Sequence, residues 1–496
     1  MTVMAAVDLG AQSGRVAVGT FDGERLVLEE AHRFANEPVR VRGTLHWDAL
    51  RLYQDTLDGL RKASRNARLD SVAVDSWAVD FGLIDRAGRL LQNPVHYRDS
   101  RRSAAVEGVL ARVPARELYG RTGIQLLSIN TVFELAAMAA ESDPALGAAD
   151  TLLLIPDLFH YWLCGSRTVE YTNATTTQCL DAATGEWAVD LLDRLAIPHG
   201  LLPEVVAPAT RLGAVSRDVA DATGLDGVTV VAAATHDTAA AVAGVPFSGP
   251  DAAFLSVGTW SLVGLESERA FITDDTFAAN LTNEGGVAET FRVLRNVTGL
   301  WLLDECRRAW AHAGRDHAYE QLVALARSAP PLGSLIDPND PSFSEPGDMP
   351  GRIAEYCRRT GQPIPEGDGA MVRCILESLA LAHAESVDLL EHVTGVRLDR
   401  LHIVGGGSRN ALLCEWTAEA ARRPVLAGPE EATLVGNLLV QAMAMGELSS
   451  LGEAREVARR SFVPTTYEPS ESHQWSDAQA RFSGLTAKGH EVEVGS

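Results

Sequence analysis

Asp8 is a candidate functional residue, because it lies between an apolar strand and a small polar turn. It closes the apolar strand predicted over residues 3–7, and a small polar turn containing Ser13 and Gly14 follows before the chain returns at Arg15. Such a turn can bring backbone N–H groups and a hydroxyl to a phosphate, while the carboxylate faces a hydrated metal ion. An ordinary hairpin with a solvated aspartate has the same pattern, so this turn alone leaves both interpretations open.

Asp237 is the second aspartate of this kind. It follows a strand predicted over residues 228–233 and opens an alanine-rich helix. A helix N-cap is the simple interpretation. The competing interpretation is a general base, because a carboxylate placed against a hydroxyl group can accept its proton during phosphoryl transfer. His236 and Thr238 flank Asp237 with side chains that bind hydroxyl groups, which favours a ligand site.

Two glycine turns could bind the remainder of a nucleotide. The segment FLSVGTWSL (254–262) predicts a second hairpin turn, in which Thr259 and the glycine N–H could approach a phosphate. The segment IVGGGSRN (403–410) places three glycines between a strand and a helix, so that a planar ligand can approach the backbone closely. A plain hairpin and a glycine-rich helix entry are the alternatives.

The elements that must position these residues alternate between strand and helix, which predicts an α/β fold. The pattern of strand, tight turn and returning strand at residues 3–18 recurs at 253–265, which indicates two related halves. A chain of 496 residues is too long for one core. We expect an N-terminal domain over 1–246, a C-terminal domain over 247–465 and a polar tail over 466–496, with the boundary in the Gly/Pro-rich segment 244–250.

Composition excludes several classes of protein. The net charge of −23, with no basic cluster, argues against a nucleic-acid partner. The only two lysines, Lys62 and Lys488, lie outside any GxxxxGK[ST] motif, which excludes a P-loop NTPase and a site built on a strand lysine. No signal peptide and no long apolar run are visible, so we expect a cytoplasmic protein without a membrane partner.

The six cysteines form no CxxC motif or Cys/His cluster, which argues against structural zinc. We expect reduced thiols in the cytoplasm. Cys357 and Cys374 bracket a connection that contains Pro and Gly, and a disulfide between them is the alternative.

Eight segments, in order between about residues 3 and 465, resemble the FGGY carbohydrate kinases. They are VDLGAQSGR (7–15), DSWAVDFG (75–82), YRDSRR (97–102), EYTNATTTQ (170–178), HDTAAAV (236–242), SVGTWSL (256–262), NLTNEGG (280–286) and HIVGGGSRN (402–410). The resemblance implies two ribonuclease-H-like domains of the sugar kinase/actin/Hsp70 type around a central catalytic cleft, with ATP and Mg²⁺ bound there. YRDSRR, EYTNATTTQ and TNEGG narrow it to the branch that acts on L-rhamnulose. That branch transfers the phosphoryl group of ATP to the O1 hydroxyl of L-rhamnulose during L-rhamnose degradation.

The same resemblance implies the roles of individual residues. Asp237 is the general base, and Asp8 acts on magnesium through water. The sugar is held by the backbone near Ala78 and by His236, Asp237, Thr238 and Asn296. The nucleotide is held by Ala11, Gln12, Ser13, Gly14, Arg15, Thr259, Asp304 and Gly406.

Two residues depart from the family pattern. Ala78 stands where the family usually has glycine, and Asp304 stands where it usually has a neutral glutamine. The first affects the expected sugar contact, and the second adds a carboxylate near the expected phosphates. A kinase for another ketose, such as L-fuculose or L-ribulose, is therefore the near alternative. An ATPase sensor of the actin/Hsp70 type is the distant one, and it would need no aspartate in an HDT turn.

Overall fold

The computed structural model describes residues 1–470 and 473–493, and it alternates strands with helices. The strands are β1 (Thr2–Leu9), β2 (Ser13–Phe21), β3 (Leu26–Ala35), β4 (Val39–Val41), β5 (Thr44–His46), β6 (Ser71–Ser76), β7 (Phe81–Ile84), β8 (Thr151–Leu154), β9 (Val169–Glu170), β10 (Val205–Val206), β11 (Thr210–Ala214), β12 (Thr229–Ala232), β13 (Ala252–Val257), β14 (Trp260–Ser267), β15 (Thr282–Gly285), β16 (Phe291–Thr298), β17 (Arg400–Val404), β18 (Val425–Ala427) and β19 (Thr465–Tyr467).

Helices occupy the segments between the strands. They are α1 (Ala49–Asn66), α2 (Ser100–Arg112), α3 (Ala115–Thr122), α4 (Thr131–Ala140), α5 (Pro144–Ala148), α6 (Ile155–Cys164), α7 (Tyr171–Ala174), α8 (Val189–Arg194), α9 (Arg217–Thr223), α10 (Asp237–Ala243), α11 (Asp274–Ala278), α12 (Trp301–His312), α13 (Tyr319–Ser328), α14 (Met349–Arg359), α15 (Gly367–Thr394), α16 (Ala411–Ala421), α17 (Ala432–Met445), α18 (Leu451–Ser461) and α19 (Gln474–Glu493). No helix within the described ranges combines the length and the apolar character needed to cross a membrane.

The chain forms two compact units. Unit 1 comprises Met1–Pro246, Glu266–Val293 and Ala432–Phe462, and unit 2 comprises Phe247–Leu265, Leu294–Glu431 and Val463–Ser496. The boundary expected after residue 246 coincides with the first point of division. The segment expected as the C-terminal domain, however, contributes two stretches to unit 1. This crossing depends on contacts between distant residues, which local sequence patterns do not contain.

The main sheet of unit 1 has the order β11-β12-β6-β1-β2-β3. β1 pairs with β2 as the expected antiparallel hairpin and with β6 in parallel. Successive side chains of a strand point to opposite faces, and β1 shows this clearly. Ala5, Val7 and Leu9 join one buried cluster, whereas Met4 and Ala6 join another. The strand is therefore covered on both faces, as its nearly continuous apolar sequence predicts.

Helix α17 covers the second of these faces. Leu434, Val435 and Leu438 of α17 belong to the same cluster as Met4 and Ala6 of β1. This helix spans Ala432–Met445. It completes unit 1, although almost the whole of unit 2 precedes it in the chain.

Unit 2 repeats the hairpin arrangement. Its strands follow the order β16-β14-β13-β17-β18-β19. Unit 2 contains β16 only from Leu294 onward, because β15 and the first three residues of β16 belong to unit 1. β13 pairs with β14 as an antiparallel hairpin and with β17 in parallel, as β1 does with β2 and β6. The recurrence expected from residues 3–18 and 253–265 is therefore present in the strand pairing.

All six cysteines are free thiols, and Cys357 lies in hydrogen-bonding contact with Cys374 in unit 2.

Residues 465–493 differ from the expected polar tail. β19 joins the sheet beside β18, and α19 follows. Trp475, Ala478 and Phe482 are buried on one side of α19. Their spacing of three and four residues is that of one helix face, so the polar average of this segment conceals an apolar stripe.

Candidate functional site

The first glycine turn of unit 1 has a fixed backbone. The N–H of Gly10 donates to the carbonyl of Ser13 at 3.0 Å. Asn36, which is 4% exposed, directly follows β3 and holds the same turn: its side-chain amide donates to the Gly10 carbonyl at 2.9 Å, and its backbone N–H donates to the Gln12 carbonyl at 3.0 Å. Ala11 and Ser13 are half-buried, and Gln12 is exposed. The turn therefore presents a defined surface of backbone and small side chains.

Asp8 and Asp75 lie next to each other at the ends of adjacent strands. Asp8 pairs across the hairpin with Arg15, whose guanidinium donates to the Asp8 carboxylate at 2.6 Å. In the parallel pairing of β1 with β6, Asp8 stands opposite Asp75. Asp75 accepts a hydrogen bond from the Asn437 amide at 2.5 Å through Oδ2, whereas its Oδ1 has no hydrogen-bond partner among the described residues. Burial and the charge of Asp8 hold the pKa of Asp75 well above its usual range.

Asp237 begins α10, directly after the turn that follows β12. Its Oδ1 accepts hydrogen bonds from the backbone N–H and the hydroxyl of Thr238, and the His236 Nε2 lies 3.3 Å from the same oxygen. The protein surrounds the carboxyl on most sides, yet 35% of the side chain stays exposed. Desolvation, with the charge of Asp8 as the second cause, raises the pKa of Asp237 to about 7. A carboxyl with such a pKa can exchange a proton near neutral pH.

A buried cluster behind His236 was not found from the sequence. Arg292 of β16, whose side chain is 0% exposed, donates through Nη2 to the His236 Nδ1 at 3.1 Å, and its Nη1 lies 3.0 Å from the Glu284 carboxylate. Arg292 also donates through Nε to the Gly285 carbonyl at 3.0 Å. Burial, and then the charge of Arg292, hold the pKa of His236 well below its usual range. His236 is therefore a neutral imidazole at neutral pH.

The segment after β6 carries Ala78 in a constrained conformation. Val79 has a φ of +67°, which is unusual for a β-branched residue. The Thr131 hydroxyl donates to the Val79 carbonyl at 2.6 Å, and the Asp80 N–H donates to the Ala78 carbonyl at 2.9 Å. Ala78 itself is half-buried. Neighbouring groups therefore fix the backbone on which the expected sugar contact depends.

Asp80 anchors this segment in the core. One carboxylate oxygen accepts hydrogen bonds from the indole N–H groups of Trp47 and Trp77 at 2.5 and 3.0 Å, and the other accepts from Arg102 at 2.5 Å. Arg102 also pairs with Glu134, and all three charged side chains are almost fully buried. Burial raises the pKa of Asp80 to about 6, although Arg102 opposes the rise. Asp80 and Arg102 lie in two of the motifs that carry the family resemblance, but no role was expected for either residue.

In unit 2, the turn between β13 and β14 joins the start of α12. The Gly299 N–H donates to the Thr259 carbonyl at 3.0 Å, and the Leu300 N–H donates to the Gly258 carbonyl at 2.9 Å. Asp304 lies one turn further along, and its N–H donates to the Leu300 carbonyl at 2.9 Å. The Trp301 N–H also donates to the Thr259 carbonyl, at 3.4 Å, so three backbone hydrogen bonds link the turn of Thr259 to the helix of Asp304.

The three consecutive glycines after β17 differ in their surroundings. Gly405 has a φ of +78°, and a Cβ on Gly407 would lie 2.3 Å from the Val257 side chain of β13. A Cβ on Gly406 would meet no atom within 4 Å. Gly405 and Gly407 thus shape and pack the turn, whereas Gly406 leaves open space above the backbone.

Asp304 and the glycine turn also share a neighbour. Tyr319 accepts a hydrogen bond from the Asn410 amide at 2.9 Å, just after the glycines, and the charge of Asp304 contributes to its raised pKa. Burial is the main cause that raises the pKa of Tyr319 to about 12. Asp304 has a 37% exposed side chain, and burial raises its pKa too. Asn296, on β16, is half-buried.

Two family models match this chain over most of its length. The N-terminal domain of the FGGY family of carbohydrate kinases matches residues 3–244, and the C-terminal domain matches residues 253–445. The chain belongs to the FGGY family of carbohydrate kinases. The resemblance expected from the eight sequence segments is confirmed, and so is the enzyme class.

Curated relatives of this FGGY kinase cover nearly the whole chain. A rhamnulokinase of Bacteroides thetaiotaomicron is 42% identical over 478 residues, which are 96% of this chain and 98% of the relative. A rhamnulokinase of Pectobacterium atrosepticum is 41% identical and covers 97% of this chain and 96% of the relative.

Solved structures confirm the fold class of this FGGY kinase. Xylulose kinase from Rhodospirillum rubrum is similar with a TM-score of 0.81 at 22% identity, over 99% of both chains. Gluconate kinase from Lactobacillus acidophilus is similar with a TM-score of 0.79 at 16% identity, over 99% of this chain and 97% of that structure. At these identities the likeness concerns the fold alone.

Proposed function

We propose that this FGGY kinase is a rhamnulokinase, which transfers the γ-phosphoryl group of ATP to O1 of L-rhamnulose. The identity of about 42% to a rhamnulokinase over 96% of the chain carries this proposal. The strand-end carboxylates and the glycine turns support it, because phosphoryl transfer depends on positioning and electrostatics rather than on covalent chemistry by the protein.

Asp237 is the proposed general base. The Thr238 hydrogen bonds and His236 occupy the Oδ1 side of the carboxylate, so Oδ2 is the oxygen that we assign to the sugar. Oδ2 accepts the proton of the O1 hydroxyl as O1 forms a bond to the γ-phosphorus. The bond from that phosphorus to the bridging oxygen breaks, and ADP leaves with the electron pair. A base with a pKa of about 7 is matched to this step at neutral pH.

The remaining expected site residues keep their proposed roles. His236, Thr238 and Asn296 bind sugar hydroxyls, and the backbone at Ala78 contacts the sugar. The nucleotide phosphates meet the turn of residues 11–15 and Thr259, and the nucleoside lies over Gly406, where the backbone is open. We propose that the Asp304 carboxylate accepts hydrogen bonds from the ribose hydroxyls, since it would otherwise repel the phosphates.

Magnesium fits this proposed site as a partner of ATP rather than as a resident ion. Within residues 1–470 and 473–493, no group of three or more His, Cys, Asp or Glu side chains could hold a metal ion. Mg²⁺ bound to a nucleotide needs only one or two carboxylates besides phosphates and water, and Asp8 with its strand neighbour Asp75 meets that need. When bound, the ion neutralises charge on the phosphates. Asp8 would contact it through water.

ADP release with Mg-ATP tests the proposal across L-rhamnulose, L-fuculose, L-ribulose, D-xylulose and glycerol. We expect the highest kcat/KM with L-rhamnulose. Preference for a different ketose would leave the enzyme class unchanged but would show that L-rhamnulose is not the preferred substrate. Ala78 would then be the first residue to test for the change in specificity. ATP hydrolysis that does not depend on any sugar would contradict the proposal.

A further inference from the structure

Arg292 is a fully buried cation that contacts His236, one of the expected sugar-binding residues. Two of its nitrogens make hydrogen bonds, Nε to the Gly285 carbonyl and Nη2 to the His236 Nδ1, and Nη1 lies within ion-pair distance of the Glu284 carboxylate without a hydrogen bond in the described part of the chain. A guanidinium has five donors and no acceptor. The imidazole nitrogen that faces Nη2 must therefore offer a lone pair.

The position of the imidazole hydrogen follows from this contact. A neutral imidazole carries its hydrogen on one nitrogen only, so a lone pair on Nδ1 places the hydrogen on Nε2. Glu284 competes for the ring, because its carboxylate lies 3.4 Å from Nδ1 and would accept a hydrogen from it. That oxygen makes no hydrogen bond within the described residues, whereas Arg292 and Nδ1 meet at 3.1 Å in hydrogen-bond geometry.

We infer that Arg292 is a positioning residue that holds His236 as the Nε2–H tautomer. This inference rests on the proposed function, because it assigns the partners of the proposed base. Nε2–H faces Oδ1 of Asp237, 3.3 Å away. His236 then serves as a hydrogen-bond donor at the sugar site and offers no lone pair there. Of the two residues, only Asp237 can then act as a base, through the Oδ2 that we assign to the substrate hydroxyl.

The opposite tautomer would change this arrangement. With the hydrogen on Nδ1, a lone pair on Nε2 would face the lone pairs of the Asp237 carboxylate 3.3 Å away, and His236 would have no hydrogen to donate at the sugar site. Without Arg292, Glu284 is the acceptor that favours this state, since it already lies 3.4 Å from Nδ1. Arg292 thus selects between two hydrogen positions on one ring.

The tautomer can be measured without sugar or nucleotide. The protein is labelled with ¹⁵N-histidine, and His236 is assigned by comparison with His236→Asn. We expect a pyridine-like Nδ1 and a proton-bearing Nε2 in the wild type, and a proton-bearing Nδ1 in Arg292→Met. A proton-bearing Nδ1 in the wild type would overturn the inference. Because no substrate is present, this result stands whether or not L-rhamnulose is the substrate.

Kinetics supply the second readout. Loss of a hydrogen bond to a charged group predicts that Arg292→Met lowers kcat by about 10- to 100-fold with little change in the KM for ATP. Arg292→Lys keeps a donor toward Nδ1 and should recover most of the loss. Arg292→Met leaves the buried Glu284 carboxylate without its partner, and this variant can fail to fold for that reason. The double variant Arg292→Met/Glu284→Gln removes that charge and replaces the single variant in the same assays. In this double variant, loss of the wild-type tautomer and of kcat supports the inference, and retention of both refutes it.

Arg373→Met is the matched control. Arg373 likewise serves a buried carboxylate, that of Glu377, and also donates to backbone carbonyls, but these partners include no residue of the site. We expect it to lose stability while the His236 spectrum and kcat stay at wild-type values. Equal loss of kcat in Arg373→Met and Arg292→Met, with an unchanged His236 tautomer in both, would reduce Arg292 to a structural role and refute the inference.

Discussion

Gly436 offers a test of how closely the backbone of unit 1 positions the proposed base. A Cβ added at Gly436 of α17 would lie 1.7 Å from the Ala240 carbonyl oxygen of α10, and 2.8 Å from the Gly244 nitrogen. Both contacts are with backbone atoms, so no change of side-chain rotamer can relieve them. Ala240 lies within one turn of Asp237, which begins the same short helix.

The size of the effect follows from these distances. Non-bonded contacts of carbon reach their optimum at about 3.5 Å, so Gly436→Ala must separate the two helices by roughly 1.5–2 Å. Overpacking typically costs about 1–3 kcal/mol, and a contact with a rigid backbone belongs at or above the upper end of that range. The neighbouring hydrogen bond from Asn437 to Asp75 would also be strained. We therefore expect the free energy of unfolding to fall by about 3 kcal/mol or more.

Catalysis should fall as well, because misplacement of a reacting group by about 1 Å can cost roughly 100-fold in rate. The assays are urea unfolding followed by tryptophan fluorescence, and kcat at saturating ketose and ATP. Gly452→Ala is the matched control: Gly452 lies in α18, its added Cβ would approach no atom closer than 3.8 Å, and it should be neutral or slightly stabilising. If Gly436→Ala unfolds at the wild-type urea concentration and keeps its kcat, close packing of α10 on α17 does not position Asp237.

The other predictions concern the proposed base and the sugar contact. Asp237→Asn should lower kcat by about 10²- to 10⁴-fold while ADP binding, measured by titration calorimetry, stays unchanged; wild-type turnover would exclude Asp237 as the base. The base must be ionised to act and its pKa is about 7, so kcat/KM for the ketose should fall tenfold per pH unit as the pH drops below about 7. A profile flat from pH 8 to 5 would contradict this assignment. Ala78→Gly should change the KM for the ketose by less than about threefold if the backbone makes the contact, and a larger change would show that the methyl group abuts the sugar.

Local patterns predicted the elements that carry the site, because hairpins and strand ends depend on neighbouring residues. The turn after Asp8, the helix that begins at Asp237 and the glycine turn at Gly406 are all formed as the sequence indicates. Their strand pairing recurs between the two halves, as expected. The roles of these residues in binding and catalysis stay predictions.

The partners of these residues were beyond the reach of local patterns. Asn437 binds Asp75 across 362 positions of the chain, and Arg292 reaches His236 across 56 positions. An isolated arginine on a strand gives no sign that its guanidinium will be buried. The apolar stripe of Trp475 and Phe482, by contrast, could have been found from its helical spacing. It was missed because the average composition of that segment is polar.

The late arrival of α17 has a consequence for synthesis on the ribosome. The face of the first sheet that carries Met4, Ala6 and Phe21 is complete soon after the N-terminus emerges, but the helix that covers it belongs to the last segment of unit 1. At about 5–20 residues per second, the roughly 400 residues between Ala35, which ends β3, and Ala432 delay that helix by about 20 to 80 s. During this interval the nascent chain exposes an apolar surface of the kind that chaperones bind. Cells that make this kinase quickly should therefore need holding chaperones in proportion to its rate of translation, and slower codons within unit 2 would lengthen that need.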